Sequence, residues 1–334
     1  MAFFKRLSLL IVLVAIGLAV AGTWFATHPL LLRTSPLEFT IPPGTGLSGS
    51  ARLIADAGVD FPPWEFSLLG RILGKAADIK AGSYEIESGV TPLRLLAKLT
   101  HGDVSQGELV LVEGRTFRQF RAQLDADPDL RHDSTGLTDR EILARLGAAE
   151  TNPEGLFFPD TYLFTKHVSD FDVLGRAYRA MHLHLADEWA KRKSNLPLYS
   201  AYEALTLASI IEKETGVAAD RSQIAAVFIN RLQSGMLLQT DPSVIYGMGE
   251  NFDGNLRKRD LLADTPYNTY TRGGLPPTPI SMPGLAALHA ALNPPVSDKY
   301  YFVAKGDGHS EFSRTLDEHN RAVARYQKNK GKTG

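Results

Sequence analysis

The chain has 334 residues, with 36 Lys and Arg, 37 Asp and Glu, 44% hydrophobic residues and no cysteine. These proportions are ordinary for a globular protein of about two domains, and they exclude a disordered, collagen-like or low-complexity chain. A formal net charge of -1 offers no strongly basic face, which argues against a nucleic-acid partner. The lack of cysteine excludes disulfides, thiolate metal sites and cysteine nucleophiles.

The N-terminal segment predicts a membrane anchor. Residues 7–26 carry no charge and consist mainly of Leu, Ile, Val and Ala, which is about the length that spans a bilayer. Lys5 and Arg6 precede them, so the positive-inside rule predicts a cytoplasmic N-terminus and an exported body. A cleaved signal peptide is the alternative, because Ala19-Val20-Ala21 fits a cleavage site. We favour the anchor because apolar residues continue past that site through Trp24-Phe25.

The patterns after the anchor predict an α+β protein with a small and a large domain. Residues 1–26 form the cytoplasmic tip and anchor, and residues 27–36, which end in Thr-Ser-Pro, are predicted as a linker. Residues 37–106 are predicted as the small α/β domain and residues 107–330 as the large domain. In chain order, the alternation, capping and breaking residues predict strand 37–41, helix 50–57, strand 82–86, a helix between Thr91 and Gly102, strand 108–113 and a helix from Thr116 through Leu124.

Two further patterns suggest cofactors, and we interpret both as structural. Residues 44–49 match G-x-G-x-x-G after a strand, but two prolines precede them and parallel-strand signals are too few for a dinucleotide fold. An exported protein is also separated from nicotinamide cofactors. His182 and His184 are two residues apart, so a helix would point them to different sides, and no H-E-x-x-H sequence exists. We therefore expect neither a cofactor nor a metal.

One helix places a glutamate at its apolar edge. Ser200 with Glu203 forms a capping box before an apolar-periodic segment that Gly216 ends, which predicts a helix over 201–215. Glu214 falls on its buried stripe, whereas Glu212 falls at the margin. Burial and the negative end of the helix dipole would raise the pKa of Glu214, as a general acid requires. From the residues alone, a helix-end glutamate in a salt bridge is the commoner interpretation and stays open.

The segments that follow are polar and rich in turn residues. Asp220 and Gln223 predict a capping box for a helix that ends before Gly235. Residues 238–247 and 265–277 are predicted as loops carrying amides, hydroxyls and tyrosine rings. Such groups suit a sugar-binding cleft, since sugar hydroxyls need directional partners and sugar faces stack on aromatic rings. The same residue types also simply make turns, so both interpretations remain.

Several short motifs resemble those of the MltG (YceG-like) endolytic murein transglycosylases. They occur in that family's order over residues 154–320, and the anchor and small domain are similar as well. The motifs are Glu154-Gly-Leu-Phe-Phe-Pro-Asp160-Thr-Tyr162, Ala208-Ser-Ile-Ile-Glu212-Lys-Glu214-Thr215, Phe228-Ile-Asn230-Arg-Leu232, Leu238-Gln239-Thr240-Asp241-Pro242 with Tyr246-Gly247, Tyr267-Asn268-Thr-Tyr270 and Gly274-Leu-Pro-Pro277.

The resemblance implies an enzyme that cleaves the β-1,4 bond between N-acetylmuramic acid and N-acetylglucosamine inside nascent glycan strands. It implies Glu214 as the single catalytic group, which acts as general acid and then as base while the C6 hydroxyl closes onto C1 to give a 1,6-anhydro end. Candidates for holding the sugars are Gln239, Thr240, Tyr246, Asn268 and Tyr270. Supporting residues are Glu154, Asp160, Glu212, Asn230 and Asp241; we expect the carboxylates at 154, 160 and 241 to cap loops or to pair with Arg231.

The resemblance also implies a location and partners. It implies a bacterial inner-membrane protein with a LysM-like small domain and a catalytic domain in the periplasm. The expected partners are peptidoglycan strands, the cytoplasmic membrane and the penicillin-binding synthases, beside which the enzyme would terminate glycan polymerisation. Two other functions remain open: a muramidase that hydrolyses the bond with Asp241 as second carboxylate, and a non-catalytic scaffold that binds the wall.

Overall fold

The computed structural model describes residues 2–328. Met1 and residues 329–334, which include the last two residues of the predicted large domain, lie outside the described residues. The helices are α1 (Ala2–Thr27), α2 (Leu47–Ala57), α3 (Pro63–Ile72), α4 (Pro92–His101), α5 (Phe117–Ala126), α6 (Asp139–Leu146), α7 (Asp170–Ala190), α8 (Ala201–Glu214), α9 (Ala218–Gln233), α10 (Asp241–Met248), α11 (Lys258–Leu262), α12 (Leu285–Leu292) and α13 (Leu316–Val323). The strands are β1 (Leu31–Leu32), β2 (Leu37–Ile41), β3 (Val59–Asp60), β4 (Gly82–Ile86), β5 (Gln106–Val110), β6 (Thr161–Thr165), β7 (Tyr301–Ala304) and β8 (Ser310–Ser313).

The architecture is mixed α+β, as the sequence predicts. β1 pairs with β3, β2 with β4 and β7 with β8, each antiparallel, and β5 lies beside β6. The described chain divides into two compact units: the small unit runs to Glu108 and includes Leu163–Val168, and the large unit holds Leu109–Tyr162 and the chain from Ser169 onward. The G-x-G-x-x-G segment follows an antiparallel strand: residues 44–46 form the turn and residues 47–49 are the start of α2, so it lacks the parallel strand of a dinucleotide fold.

The first helix is long and apolar enough to cross a membrane. Phe4–Thr27 is 24 residues long, and its most apolar 18-residue stretch is not buried in the protein, which is consistent with a single-pass anchor. The chain after it is not a free linker. Leu30 N donates to Val90 O (2.8 Å), β1 pairs with β3, and Arg33 N donates to Gly58 O (2.9 Å). Residues 27–36 therefore include a segment that is hydrogen-bonded into the small unit.

The small unit encloses its own apolar core. Tyr84 and Phe39 stack with ring centroids 5.7 Å apart, and Phe66 and Leu95 are buried with them. Thr91 caps α4 through Arg94 N, as predicted. The helix α2 begins at Leu47, three residues before its predicted start. Leu47 is buried, so the first turn of the helix includes this residue.

The core of the large unit is built around α8. Every residue from Ala204 to Ile211 is buried, and α8 packs against α7, α9, α10 and α12. Because this helix is surrounded, its last residue emerges at the end of a rigid element. Rigid support of this kind lets a functional side chain hold one geometry.

Two predictions about the elements after α8 are wrong. The predicted capping box at Asp220 is not formed, because α9 begins at Ala218 and the Asp220 carboxylate accepts a hydrogen bond from Ser310 N instead. Most of the predicted loop 238–247 is the helix α10. Its second residue is Pro242, and proline fits the first turn of a helix as well as it fits a turn.

We expect the end of α1 to be needed for the stability of the small unit. Phe25 packs on its core and Leu30 is buried in it. Deleting residues 1–22 should leave amide hydrogen exchange in β2 and β4 unchanged, whereas deleting residues 1–32 removes these side chains and β1. The longer deletion should lower the free energy of unfolding of the small unit by about 3 kcal/mol. The amides of β2 and β4 should then exchange roughly 100-fold faster. Equal protection in the two deletions would contradict this role.

Candidate active site

Glu214 is the last residue of α8, and its carboxyl group is mostly buried. Thr215, which follows it, is extended, so the helix stops there. The Thr240 hydroxyl Oγ1 donates a hydrogen bond to Glu214 Oε1. No salt bridge to Glu214 is found among residues 2–328, so the alternative of a helix-end ion pair does not hold for the described residues.

The surroundings of Glu214 keep its proton near neutral pH. Burial, which disfavours the charged form, raises its pKa from 4.5 to about 7. The hydrogen bond from Thr240 opposes this rise, and the negative charge of Asp241 adds to it. Arg231 lowers the pKa to a lesser extent. A carboxyl group with a pKa near 7 can donate a proton and take one back, as general acid–base catalysis requires.

Thr240 is held rigidly by a network of hydroxyl groups. Thr240 N donates to Thr269 Oγ1 (3.0 Å), and Ser243 Oγ donates to Thr240 O (2.8 Å). Ser243 Oγ and Thr269 Oγ1 are 2.9 Å apart. All three side chains are buried. The network holds the backbone of Thr240 at both its N–H and its carbonyl group, and so positions the residue whose hydroxyl binds Glu214.

The predicted sugar-binding residues differ in how much of each side chain is exposed to solvent. Tyr270 donates its hydroxyl to Asp241 Oδ1 (2.6 Å), and Asp241 is exposed. Gln239 is also exposed, with φ at +48° and its N–H bonded to Thr269 O (3.1 Å). Asn268 is fully buried: its side-chain amide donates to Ala263 O (2.6 Å) and to two further carbonyls, and its Oδ1 accepts from Tyr270 N. Asn268 therefore ties its own loop together.

A second buried carboxyl group belongs to Glu154, which is only 4% exposed. Its Oε1 accepts a hydrogen bond from Phe117 N (3.0 Å), and its Oε2 accepts one from the Tyr246 hydroxyl (3.1 Å). Burial raises the pKa of Glu154 to about 7, although both hydrogen bonds oppose the rise. Tyr246 in turn packs edge-on against Tyr267, with centroids 4.9 Å apart.

A cavity of about 840 Å³ opens beside these residues in the large unit. Its walls include Lys213 and Pro242, the chain neighbours of Glu214 and Asp241, whereas Glu214 and Asp241 themselves are not among the residues that line it. Other wall residues are Arg118, Glu154, Tyr246, Phe252 and Tyr267. Aromatic rings, hydroxyls and charged groups therefore line a space large enough for part of a glycan chain.

The remaining supporting candidates contact the protein itself. Glu212 Oε2 accepts from Gly284 N (3.0 Å), and burial raises the pKa of Glu212. Asp160 is exposed and accepts from Thr161 N (2.7 Å). Asn230 donates its amide to Ser297 O (2.9 Å) and Lys299 O (2.8 Å).

Arg231 does not pair with the carboxylates that we expected. It is buried and donates to Leu238 O (2.6 Å) and Tyr300 O (2.7 Å). Of the two roles expected for Glu154, Asp160 and Asp241, pairing with Arg231 is not found among the described residues, whereas Glu154 accepts from a backbone N–H at the start of α5. Carbonyls satisfy the guanidinium in their place. By holding the carbonyl of Leu238, Arg231 supports the segment that leads to Thr240.

Sequence reasoning missed Ser243 and Thr269 as parts of the site, and it named Arg231 only as an ion-pair partner. Arg231 and Thr269 stand inside quoted motifs, beside residues that we did select, and this proximity was the available signal. No pattern in the sequence indicates that the hydroxyls of Ser243 and Thr269 meet at the backbone of Thr240. Among residues 2–328, no group of three His, Asp or Glu side chains could hold a metal ion.

Comparisons with known proteins agree with the motif resemblance. The model of the YceG-like family matches residues 39–325. An endolytic murein transglycosylase of Bacillus subtilis is 31% identical over 87% of this chain and 84% of its own length. One from Streptococcus pneumoniae is 27% identical over 95% of this chain, which spans 65% of that protein. The crystal structure of a YceG-like protein from Listeria monocytogenes has 32% identity and a TM-score of 0.54, over 86% of this chain and 99% of that one. The match over most of its length means that this chain belongs to the YceG-like family.

Proposed function

We propose that the protein is an endolytic murein transglycosylase with Glu214 as its catalytic acid and base. The observation that carries the proposal is the partly buried carboxyl group of Glu214 at the end of α8, whose pKa is raised to about 7 and which accepts a hydrogen bond from the Thr240 hydroxyl. The names of the B. subtilis and S. pneumoniae relatives supply the reaction class. The cavity lined by Glu154 and Tyr246 in the same unit offers space for sugars.

The chemistry needs one group that works twice. Protonated Glu214 donates its proton to the glycosidic oxygen as the bond from that oxygen to C1 of the muramic acid breaks. The C6 hydroxyl oxygen of the same sugar then bonds to C1, and its proton passes to the Glu214 carboxylate. The acid is restored, the new end is a 1,6-anhydro sugar, and no water is consumed. A pKa near the working pH serves both steps.

The neighbours of Glu214 have proposed roles that follow from their exposure. Asp241 is exposed and carries a negative charge beside the acid, so it suits the stabilisation of the positive charge that develops at C1. Tyr270 holds Asp241 in position. Gln239 is free to bind sugar hydroxyls, and Tyr246 offers a ring in the cavity. Thr240 and Asn268 act as positioning residues.

A hydrolase would need a second carboxylate that activates water. Glu154 is unsuited to that role, because both of its oxygens already accept hydrogen bonds and it is buried. Asp241 is the remaining contender. It accepts a short hydrogen bond from Tyr270, which favours a fixed electrostatic role over proton transfer.

We expect digestion of uncross-linked glycan strands to give fragments with 1,6-anhydromuramic ends, cut inside the strands. Mass spectrometry separates the alternatives, because a hydrolase adds one water to each product. Chemical reduction of the strand ends before digestion labels them and shows whether cutting is internal. Release of single disaccharides from the labelled end would place the label only in small products, whereas internal cutting places it in fragments of many lengths. If reducing muramic ends dominate, the transglycosylase mechanism is wrong and Asp241→Asn becomes the next variant to measure.

We further propose how the protein sits in the cell. The apolar α1 anchors it in the inner membrane with its N-terminus in the cytoplasm, because Lys5 and Arg6 precede the apolar run. The catalytic unit then faces the periplasm, where nascent strands emerge from the penicillin-binding synthases. In this location the enzyme would terminate glycan polymerisation, and the small unit would serve as a LysM-like module.

A further inference from the structure

One helix of the small unit shows an apolar stripe to solvent. On α3, Trp64, Leu68 and Ile72 are 65%, 48% and 73% exposed. They are spaced four residues apart, so they share one face of the helix. A helix of a soluble domain normally buries such a stripe and exposes polar residues.

The helix cannot turn its apolar face inward. Its buried side carries Phe66, Ser67 and Gly70. A Cβ atom at Gly70 would lie 2.6 Å from Leu47 Cδ2, so α3 lies directly against the side chain of Leu47 on α2. Only a small residue fits that contact, so the face of α3 that carries Gly70 packs inward and the face with Trp64, Leu68 and Ile72 points outward.

This stripe lies close to the point where α1 leaves the membrane. Both α1 and α3 pack on α4, which is 10 residues long. Helices packed on one short helix have axes within about 20 Å of each other. The connection is also rigid, because β1, four residues beyond α1, pairs with β3, three residues before α3.

We propose that α3 lies in the headgroup region of the bilayer, with Trp64, Leu68 and Ile72 inserted among the lipids. A lipid surface is the occupant that fits, because the anchor already brings a bilayer to this side of the small unit. Trp favours the membrane interface, where its apolar ring and polar N–H are both satisfied. Glu65 and Arg71 border the stripe on its two edges, where their charged ends can reach the headgroups and water. This inference rests on α1 being the proposed membrane anchor.

The position of Trp64 can be measured with the full-length protein in vesicles of phosphatidylethanolamine and phosphatidylglycerol. The chain has 3 Trp residues, at positions 24, 64 and 189, so Trp24→Phe with Trp189→Phe leaves Trp64 as the sole reporter. Binding to the vesicles should then shift the emission of Trp64 to shorter wavelength, because the ring leaves water. Lipids brominated near the headgroup should quench its fluorescence. The matched control carries Tyr199→Trp in a chain without the natural tryptophans, because Tyr199 is 90% exposed and lies on the large unit.

The outcomes separate this inference from the anchor itself. A chain with Trp24 as sole reporter tests α1, since Trp24 lies in its last turns. Quenching of Trp24 and Trp64, with no quenching in the Tyr199→Trp control, supports the proposal. Quenching of Trp24 without quenching of Trp64 overturns the proposal for α3 and leaves the anchor in place. Shielding of Trp64 from solvent only after a partner protein is added also overturns the proposal. If neither Trp24 nor Trp64 is quenched, both the anchor and the lipid contact of α3 are wrong.

Discussion

Glu214→Gln should lower turnover on glycan strands by at least about 100-fold, which is the scale of losing a positioned general acid. The amide keeps the size of the side chain and can still accept the hydrogen bond from Thr240, but it has no proton of suitable acidity. Glu212→Gln is the matched control on the same helix. Glu212 caps Gly284 N, which an amide oxygen can also do, so we expect a much smaller loss.

Stability measurements distinguish lost chemistry from lost folding. Since burial raises the pKa of Glu214 above its unfolded value, its ionisation destabilises the fold as the pH rises from about 4.5 to about 7. The Gln variant cannot ionise, so above pH 7 it should be at least as stable as the parent. A larger activity loss in Glu212→Gln than in Glu214→Gln would contradict the assignment. Full retention of activity in Glu214→Gln would leave the scaffold function as the better account.

We also expect kcat/KM to fall tenfold for each pH unit above about 7. The first step needs protonated Glu214, whose pKa burial raises to about 7, so the active fraction declines as the carboxyl group ionises. At pH 9 the loss should therefore reach about 100-fold. The measurement is a pH profile of kcat/KM on purified, uncross-linked strands, because this parameter reports the free enzyme.

Two neighbouring variants should move the alkaline limb of that profile in opposite directions. The Thr240 hydrogen bond lowers the pKa of Glu214, so Thr240→Val should shift the limb to higher pH. The charge of Asp241 raises that pKa, so Asp241→Asn should shift the limb to lower pH. Both variants lose absolute activity for other reasons, but the direction of the shift is independent of that loss. Shifts of the same sign would show that another group controls the limb.

The elements that carry the site could largely be predicted from local patterns. The capping residues and apolar spacing predict α8 to within one residue, and the same spacing places Glu214 at its buried edge. Hydrophobic periodicity works here because the helix is flanked on several sides by other helices and must bury nearly every apolar residue. The length and charge pattern of the N-terminal segment likewise predict the apolar helix α1.

Sequence patterns failed where two interpretations of one residue type compete. Thr-Asp-Pro at 240–242 suits a turn or the start of a helix, and only the packing of Val244 into the core selects the helix α10. The prediction for Asp220 failed similarly, since a distant backbone N–H at Ser310 binds the carboxylate that a local cap would have used. Long-range hydrogen bonds leave no trace in local spacing.

By itself, the sequence determined the α+β class, the apolar N-terminal helix and the motif resemblance, and it is the basis on which we propose Glu214 rather than Glu212. Only the tertiary structure decided what surrounds Glu214. Thr240 lies 26 residues away in the chain, and Thr269, which holds it, lies 29 residues beyond that. The tertiary structure also decided that carbonyls, rather than carboxylates, satisfy Arg231. The physical reason is that burial and hydrogen bonding depend on which segments meet in the folded chain, whereas helix formation depends mainly on neighbours within a few residues.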